Sequence, residues 1–134
     1  MVNGRQKVEI KTFEDLDVWK VCRELRRKIY KITEKFPFEE KYRLVNQMRS
    51  AAISSTANIA EGYGRFHYQE NIQFCRQSRG SLYEILDHLT TSLDQVYISE
   101  ESFQELKAQV MSSIRLLNGY LRMLQNAKLR TLAD

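Results

Sequence analysis

Arg65 follows directly on the string Gly62-Tyr63-Gly64, and this short stretch is the part of the sequence best equipped to hold an anion. Two glycines free the backbone to reverse direction. Arg65 supplies a planar fork of donors. The helix predicted to begin just after it would present unpaired amides, the natural seat of a phosphate. Arg43, Arg49 and Arg76 lie on the flanking segments and are expected to add charge there, so an RNA phosphate is the predicted ligand. Tyr63, Phe66 and Tyr68 interleave with these charges. Their rings suit stacking on unpaired bases, or equally a core or a subunit contact. Read as architecture alone, Gly62 and Gly64 end one helix and let the next begin.

Two further sets have chemistry in their spacing. Lys20, Arg23, Arg27 and Lys31 recur every three or four residues and so share one helical face. Such a face is either simply solvated or tracks a phosphate backbone. Gln47, Ser54, Asn58 and Glu61, with Ala51 between them, form a polar row at the same spacing. If buried, those groups must find hydrogen-bond partners. Arg79 is the expected partner of Glu61, giving a network that fixes helix register or, alternatively, a polar ligand site.

Other chemistries lack their parts. A metal centre needs several converging ligands, and the only histidines, His67 and His88, are far apart. No metal and no cofactor is expected. Cys22 and Cys75 sit in apolar patterns, which predicts buried thiols in a reducing, cytoplasmic setting, with a bridge as the lesser option. Ser54, Ser55 and Ser81 have no histidine base at helical spacing. Neither a Gly-x-Gly-x-x-Gly string nor a phosphate-binding loop of the Walker type occurs. The chain is therefore expected not to be an enzyme.

The elements that position these residues are predicted to be helices. The sequence has 134 residues, 43% hydrophobic and 28% charged, with one proline and five glycines. That length fits one domain with one core, and little in the composition breaks a helix. No apolar run approaches the ~20 residues of a membrane span, and the first residues carry no secretory-type apolar segment. The formal net charge is +4. Residues 41–79 hold six Lys/Arg against two Asp/Glu, which suits an anionic partner.

Residues 1–12 are expected to form a flexible arm, 13–127 the folded domain and 128–134 a tail. The first helix should start near Thr12 or Asp15 and end at Phe36-Pro37, with Val18, Cys22, Leu25, Ile29, Ile32 and Phe36 as its seam. The second should run from Glu39 or Glu40 to Glu61 on Leu44, Met48, Ala52, Ser55 and Ile59. The third should run from His67 or Tyr68 to Tyr97, with Ile72, Cys75, Arg79, Leu82, Leu86, Leu89, Leu93 and Val96 facing inward. Gly80 and Gly119 are expected close-approach points. The fourth should be capped by Ser99, or else Ser102, and carry Leu106, Val110, Ile114, Leu117, Leu121 and Leu124. Four amphipathic helices with short connections predict an all-α, antiparallel up-down-up-down four-helix bundle.

Several strings together carry a family resemblance: Leu16-Asp17-Val18-Trp19, Phe36-Pro37-Phe38-Glu39-Glu40-Lys41-Tyr42, Gln47-Met48-Arg49-Ser50-Ala51-Ala52, Asn58-Ile59-Ala60-Glu61-Gly62-Tyr63-Gly64-Arg65 and Arg79-Gly80-Ser81-Leu82-Tyr83-Glu84. Over roughly residues 13–127 the chain resembles the four-helix-bundle family encoded in intervening sequences of bacterial 23S ribosomal RNA genes. Where that family often has a proline before the Asn-Ile-Ala-Glu-Gly run, this chain has Ser55-Thr56. The resemblance implies a ring-like homopentamer. It also implies kinship with Avd, the accessory protein of diversity-generating retroelements, whose relatives bind a reverse transcriptase and nucleic acid. Trp19, Tyr30, Tyr83 and Tyr120, off the seams, suit a subunit interface.

Two functions compete on these grounds. One is a non-enzymatic nucleic-acid-binding accessory protein, contacting RNA or DNA phosphates through repeated basic surfaces of an oligomer. The other is an adaptor that docks a reverse transcriptase and its template RNA.

Overall fold

Apolar side chains at three- and four-residue steps place the backbone in helices, and a computed structural model of the chain describes residues 9–133. Residues 1–8 of the expected arm and Asp134 of the expected tail lie outside the described residues. The four helices are α1 (Asp17–Thr33), α2 (Leu44–Gly64), α3 (Tyr68–Asp94) and α4 (Glu100–Ala133). Single 3-10 turns at Phe13–Asp15 and Phe38–Glu40 precede α1 and α2. No strand occurs among the described residues.

The seams of α2 and α4 are buried as their periods require. Leu44, Met48, Ala52, Ser55 and Ile59 are covered on α2, and all six expected residues are covered on α4. On α1 the seam holds at Val18, Cys22, Leu25 and Ile29, and Phe36 is buried beyond the helix end. Trp19 is buried too, with its ring 5.2 Å from Phe13 in an edge-on contact. Each fully buried side chain of this size contributes about 1.5–3 kcal/mol.

The seam of α3 differs from the expected one. Leu82 and Leu89 are buried, but Ser78, Ile85 and Ser92 are buried with them. Arg79, Leu86 and Leu93 are only partly covered. Val96 is 84% exposed, past the helix end, at φ 61°. The cause is that α3 packs on both α2 and α4 and so buries two faces. On the α2 side small serines allow close approach: Ser78 Oγ donates to the Ser55 carbonyl at 2.6 Å, and Ser92 Oγ to Met48 Sδ at 3.5 Å. A hydrophobic-period reading skips serine, yet its hydroxyl is satisfied here.

Hydrogen bonds tie neighbouring helices in a consistent order. Thr33 meets Arg49 and Arg26 meets Thr56 between α1 and α2. Asn71 meets Tyr120 and Arg79 meets Asn118 between α3 and α4. In each pair the partner's number falls as the first number rises.

The helix ends show where local chemistry overrode the pattern. Pro37 and the 3-10 turn delay α2 until Leu44, with Arg43 just before it at φ −120°, ψ −102°. Ser99 caps α4 as expected, its Oγ accepting from the Ser102 amide at 3.1 Å. The Gly62-Tyr63-Gly64 string is not the turn: it is the last turn of α2, and the reversal falls on Arg65–His67, with Phe66 at φ 59°. Gly62 instead serves close packing. A Cβ there would lie 2.7 Å from Asn71 Oδ1 and 3.0 Å from Phe74 Cβ. Gly80 and Gly119, expected as close-approach points, have nothing within 4 Å of such a Cβ.

Candidate nucleic-acid interface

Helix by helix, positive charge concentrates on α1. Residues 17–35 hold seven Lys/Arg against three Asp/Glu, the same net excess as residues 41–79 in about half the length. Lys20, Arg23, Arg27 and Lys31 are exposed along it. The Arg23 guanidinium sits 5.6 Å from the Trp19 ring centre. Arg27 approaches Glu24 at 3.3 Å, but both side chains are more than half exposed, so the pair holds the cation only weakly. Arg26, missed by the sequence reading, is half-buried and donates to Thr56 Oγ1 at 2.8 Å. An open groove of about 500 Å³ runs between Arg26, Arg27, Tyr30, Lys31 and Glu34. Counting charge by helix would have found it. Counted over residues 1–40, it is diluted by Glu9, Glu14, Asp15, Glu39 and Glu40.

Arg49, on α2, contacts one wall of this groove, Tyr30. Its guanidinium lies 4.6 Å from the Tyr30 ring centre. Nε donates to Thr33 Oγ1 at 3.0 Å and Nη2 to the Tyr30 carbonyl at 3.2 Å. A cation on the last carbonyls of α1 is favoured by the negative end of the helix. Arg49 thereby fixes the orientation of Tyr30 on the groove wall.

The four arginines expected around the glycine string do not come together. Arg43 and Arg49 belong to the first half of α2 and Arg65 to its end, about 33 and about 24 Å away along the helix axis. Arg76 is about 12 Å into α3. Arg65 itself is held by Glu61 at 2.8 Å and Glu70 at 3.9 Å, and lies 5.2 Å from the Phe74 ring centre. These pairs are about half exposed, so each holds the cation only weakly, as Glu24 does Arg27. At the same end Phe66 is 85% exposed and its ring centre is 6.4 Å from that of Tyr63.

The polar row on α2 is not a buried network. Gln47 and Glu61 are exposed, and Ser54 and Asn58 are half-buried. Asn58 Nδ2 donates to the Ser54 carbonyl at 2.9 Å and to Ser54 Oγ at 3.0 Å; Ser81 Oγ donates to Ser54 Oγ at 3.0 Å. Arg79 Nη1 donates to Asn118 Oδ1 at 2.8 Å, so its partner is on α4 and not Glu61. The reason is rotational: with Met48, Ser55 and Ile59 at the centre of the buried face, the row falls on its flank. Among the described residues no buried side-chain nitrogen or oxygen lacks a partner.

A further groove of about 540 Å³ lies between α1 and the start of α4, with Lys28, Lys31 and Lys35 on one wall and Tyr97, Ser99, Ser102 and Glu105 on the other. Elsewhere, His88 Nε2 contacts Glu84 at 3.1 Å on the surface of α3. Cys22 and Cys75 are free and buried, and burial pushes both thiols up to about 12. Thiols so disfavoured as thiolates are poor nucleophiles. Among the described residues no three His, Cys, Asp or Glu side chains are placed to hold a metal ion. No helix described is long and apolar enough to cross a membrane.

Four packed helices, one of them strongly basic and bordered by open cation-lined grooves, define a small four-helix-bundle protein. The sequence profile of the 23S rRNA-intervening sequence protein family matches residues 14–119, from the first 3-10 turn well into α4, and the chain belongs to that family. No curated protein matches this sequence.

Proposed function

We propose that the protein is a non-enzymatic, nucleic-acid-binding accessory protein that contacts RNA backbone through α1. The observation that carries this reading is the Arg26–Arg27–Tyr30–Lys31 groove, with Arg49 stacked on Tyr30 at its edge. Exposed lysines and arginines bind phosphates with little sequence readout. The order of the interhelical hydrogen bonds supports an antiparallel, up-down-up-down bundle. The proposed form is a ring-like homopentamer, an assembly that the family likeness supports. Tyr83, Leu116 and Met123, all exposed, offer surface for such contacts. In a ring, one modest basic groove per subunit gains avidity by repetition. Two free thiols suit a cytoplasmic protein.

The test is binding of the full chain to a structured RNA at increasing salt. A steep loss of affinity with salt, made shallower by Arg27→Ala with Lys31→Ala, supports the reading. Affinity indifferent to both salt and substitution rejects it.

A second reading is favoured by a different surface. Residues 80–106 hold six Asp/Glu and no Lys or Arg. Glu84, Asp87, Asp94, Glu100, Glu101 and Glu105 are all exposed. Exposed acid on α3 and the start of α4, in a protein whose α1 is basic, fits an adaptor that grips a basic enzyme, such as a reverse transcriptase, together with its RNA. Co-purification from the native cell distinguishes the two by whether a protein partner accompanies the nucleic acid.

A further inference from the structure

Phe38 and Tyr42 are each 77% exposed, in the short segment between α1 and α2. Lys41 lies between them in sequence and in space, its ammonium 5.9 Å from the Phe38 ring centre and 5.4 Å from that of Tyr42. At that exposure the bundle's own packing leaves most of both rings, and the cation beside them, open to a ligand. We propose that this end of the bundle is a stacking platform for an unpaired nucleobase, which would make the protein prefer single-stranded over duplex RNA. The inference rests on the nucleic-acid reading above and specifies which form of the polymer that reading concerns.

The platform is braced from behind. Phe36 is buried with its ring centre 5.2 Å from that of Tyr97. The Tyr97 hydroxyl donates to Glu40 Oε2 at 3.0 Å, engaging a nearby carboxylate. On the Phe38 side of it, and not against Tyr42, a hollow of about 280 Å³ is lined by Phe36, Pro37, Phe38 and Val45, with Lys41, Arg49 and Glu34 also on its wall. That is just below the range of drug-sized ligand pockets, about 300–1,000 Å³. It matches a flat ring better than a helix. Glu34 can accept from a base's exocyclic amine.

Continuity with the basic groove selects the occupant. Glu34 lines both hollows, and Arg49 borders this one while stacking on Tyr30 in the other. An apolar protein segment would cover the rings but leave Lys41 and Arg49 without anions. A nucleotide supplies an aromatic face and a phosphate within one unit. In a duplex the base faces are already stacked and out of reach, so only an unpaired base can use the platform.

The test compares a short fluorescein-labelled oligouridylate with a blunt RNA duplex of equal length, by anisotropy with the full chain at low salt. Both rings are exposed, so Phe38→Ala with Tyr42→Ala should leave the fold intact, as judged by thermal unfolding. The double variant is expected to lose about tenfold or more on the single strand and less than about twofold on the duplex. Phe38→Tyr with Tyr42→Phe, which keeps both rings, is expected to retain binding. Unchanged affinity of the alanine variant for the single strand overturns the inference while leaving the nucleic-acid reading standing. Equal losses on both polymers, or a change of oligomeric mass on sedimentation, overturn it by assigning the rings to structure or to a subunit contact. Wild-type protein that binds neither polymer brings down both.

Discussion

The guanidinium of Arg49 lies 4.6 Å from the centre of the Tyr30 ring while donating to the Tyr30 carbonyl at 3.2 Å. One side chain of α2 thus holds both the ring and the backbone of the residue that walls the α1 groove. A cation over an aromatic face contributes about 0.5–2 kcal/mol. A hydrogen bond from a charged donor adds roughly 1.5–3 kcal/mol at most, less where water competes.

Arg49→Ala is therefore expected to destabilise the fold by about 1–3 kcal/mol, read from the shift of the urea midpoint. Arg49→Lys keeps the charge but not the fork, and should recover only part of that loss. A midpoint unmoved by Arg49→Ala would mean that the contact holds Tyr30 without contributing to folding.

Three of the four glycines within the described helices separate sharply. Gly62→Ala forces a Cβ to within 2.7 Å of Asn71 Oδ1 and 3.1 Å of its carbonyl. It should cost about 1–3 kcal/mol through overpacking. Gly80→Ala and Gly119→Ala meet nothing within 4 Å. Each should stabilise by about 0.4–1 kcal/mol, because alanine restricts the unfolded chain. Thermal unfolding of the three variants checks the opposite signs. A destabilising Gly80→Ala would contradict the open environment assigned to it.

The thiols give a pH dependence of definite direction. Burial raises Cys22 and Cys75 from 9.0 to about 12. Above pH 9 the unfolded chain releases these protons while the folded chain keeps them. The unfolded state then binds fewer protons, so stability falls with rising pH. The thiol contribution is complete below about pH 9 and is lost between 9 and about 12. Urea titrations at pH 8 and pH 10 should show this, and replacing both cysteines by alanine should flatten that interval. In the native protein both thiols should resist an aromatic disulfide reagent at pH 8 and react fully in denaturant.

How much of this was legible in the sequence depended on which force governed each residue. Where hydrophobic burial decides, as along Leu106 to Leu124, the period alone gives the buried face. The α3 seam was misread because Ser78 and Ser92 are buried through hydrogen bonds and small size, which a hydrophobic period does not register. The glycine string was assigned a turn on composition, but Gly62 is glycine for contact with Asn71 and Phe74. Of the candidate site, the α1 face of Lys20, Arg23, Arg27 and Lys31 was visible as spacing. Arg26 and the wall made by Tyr30 and Arg49 were not, because they depend on which way α2 packs. The pairing of Arg65 with Glu61 was hidden by ending the second helix at Glu61; with α2 running to Gly64 the two stand four residues apart on one helical face.

The central claim is that α1 binds a polyanion. It is tested most directly by the slope of log affinity against log salt for a single-stranded RNA, wild type against Arg27→Ala with Lys31→Ala. Each phosphate contact contributes about 0.7 to that slope for a single strand. The account predicts a clear negative slope in the wild type, shallower by about 1.4 in the double variant, with unfolding temperature unchanged. A wild-type slope near zero, or the same slope in both proteins, would contradict it.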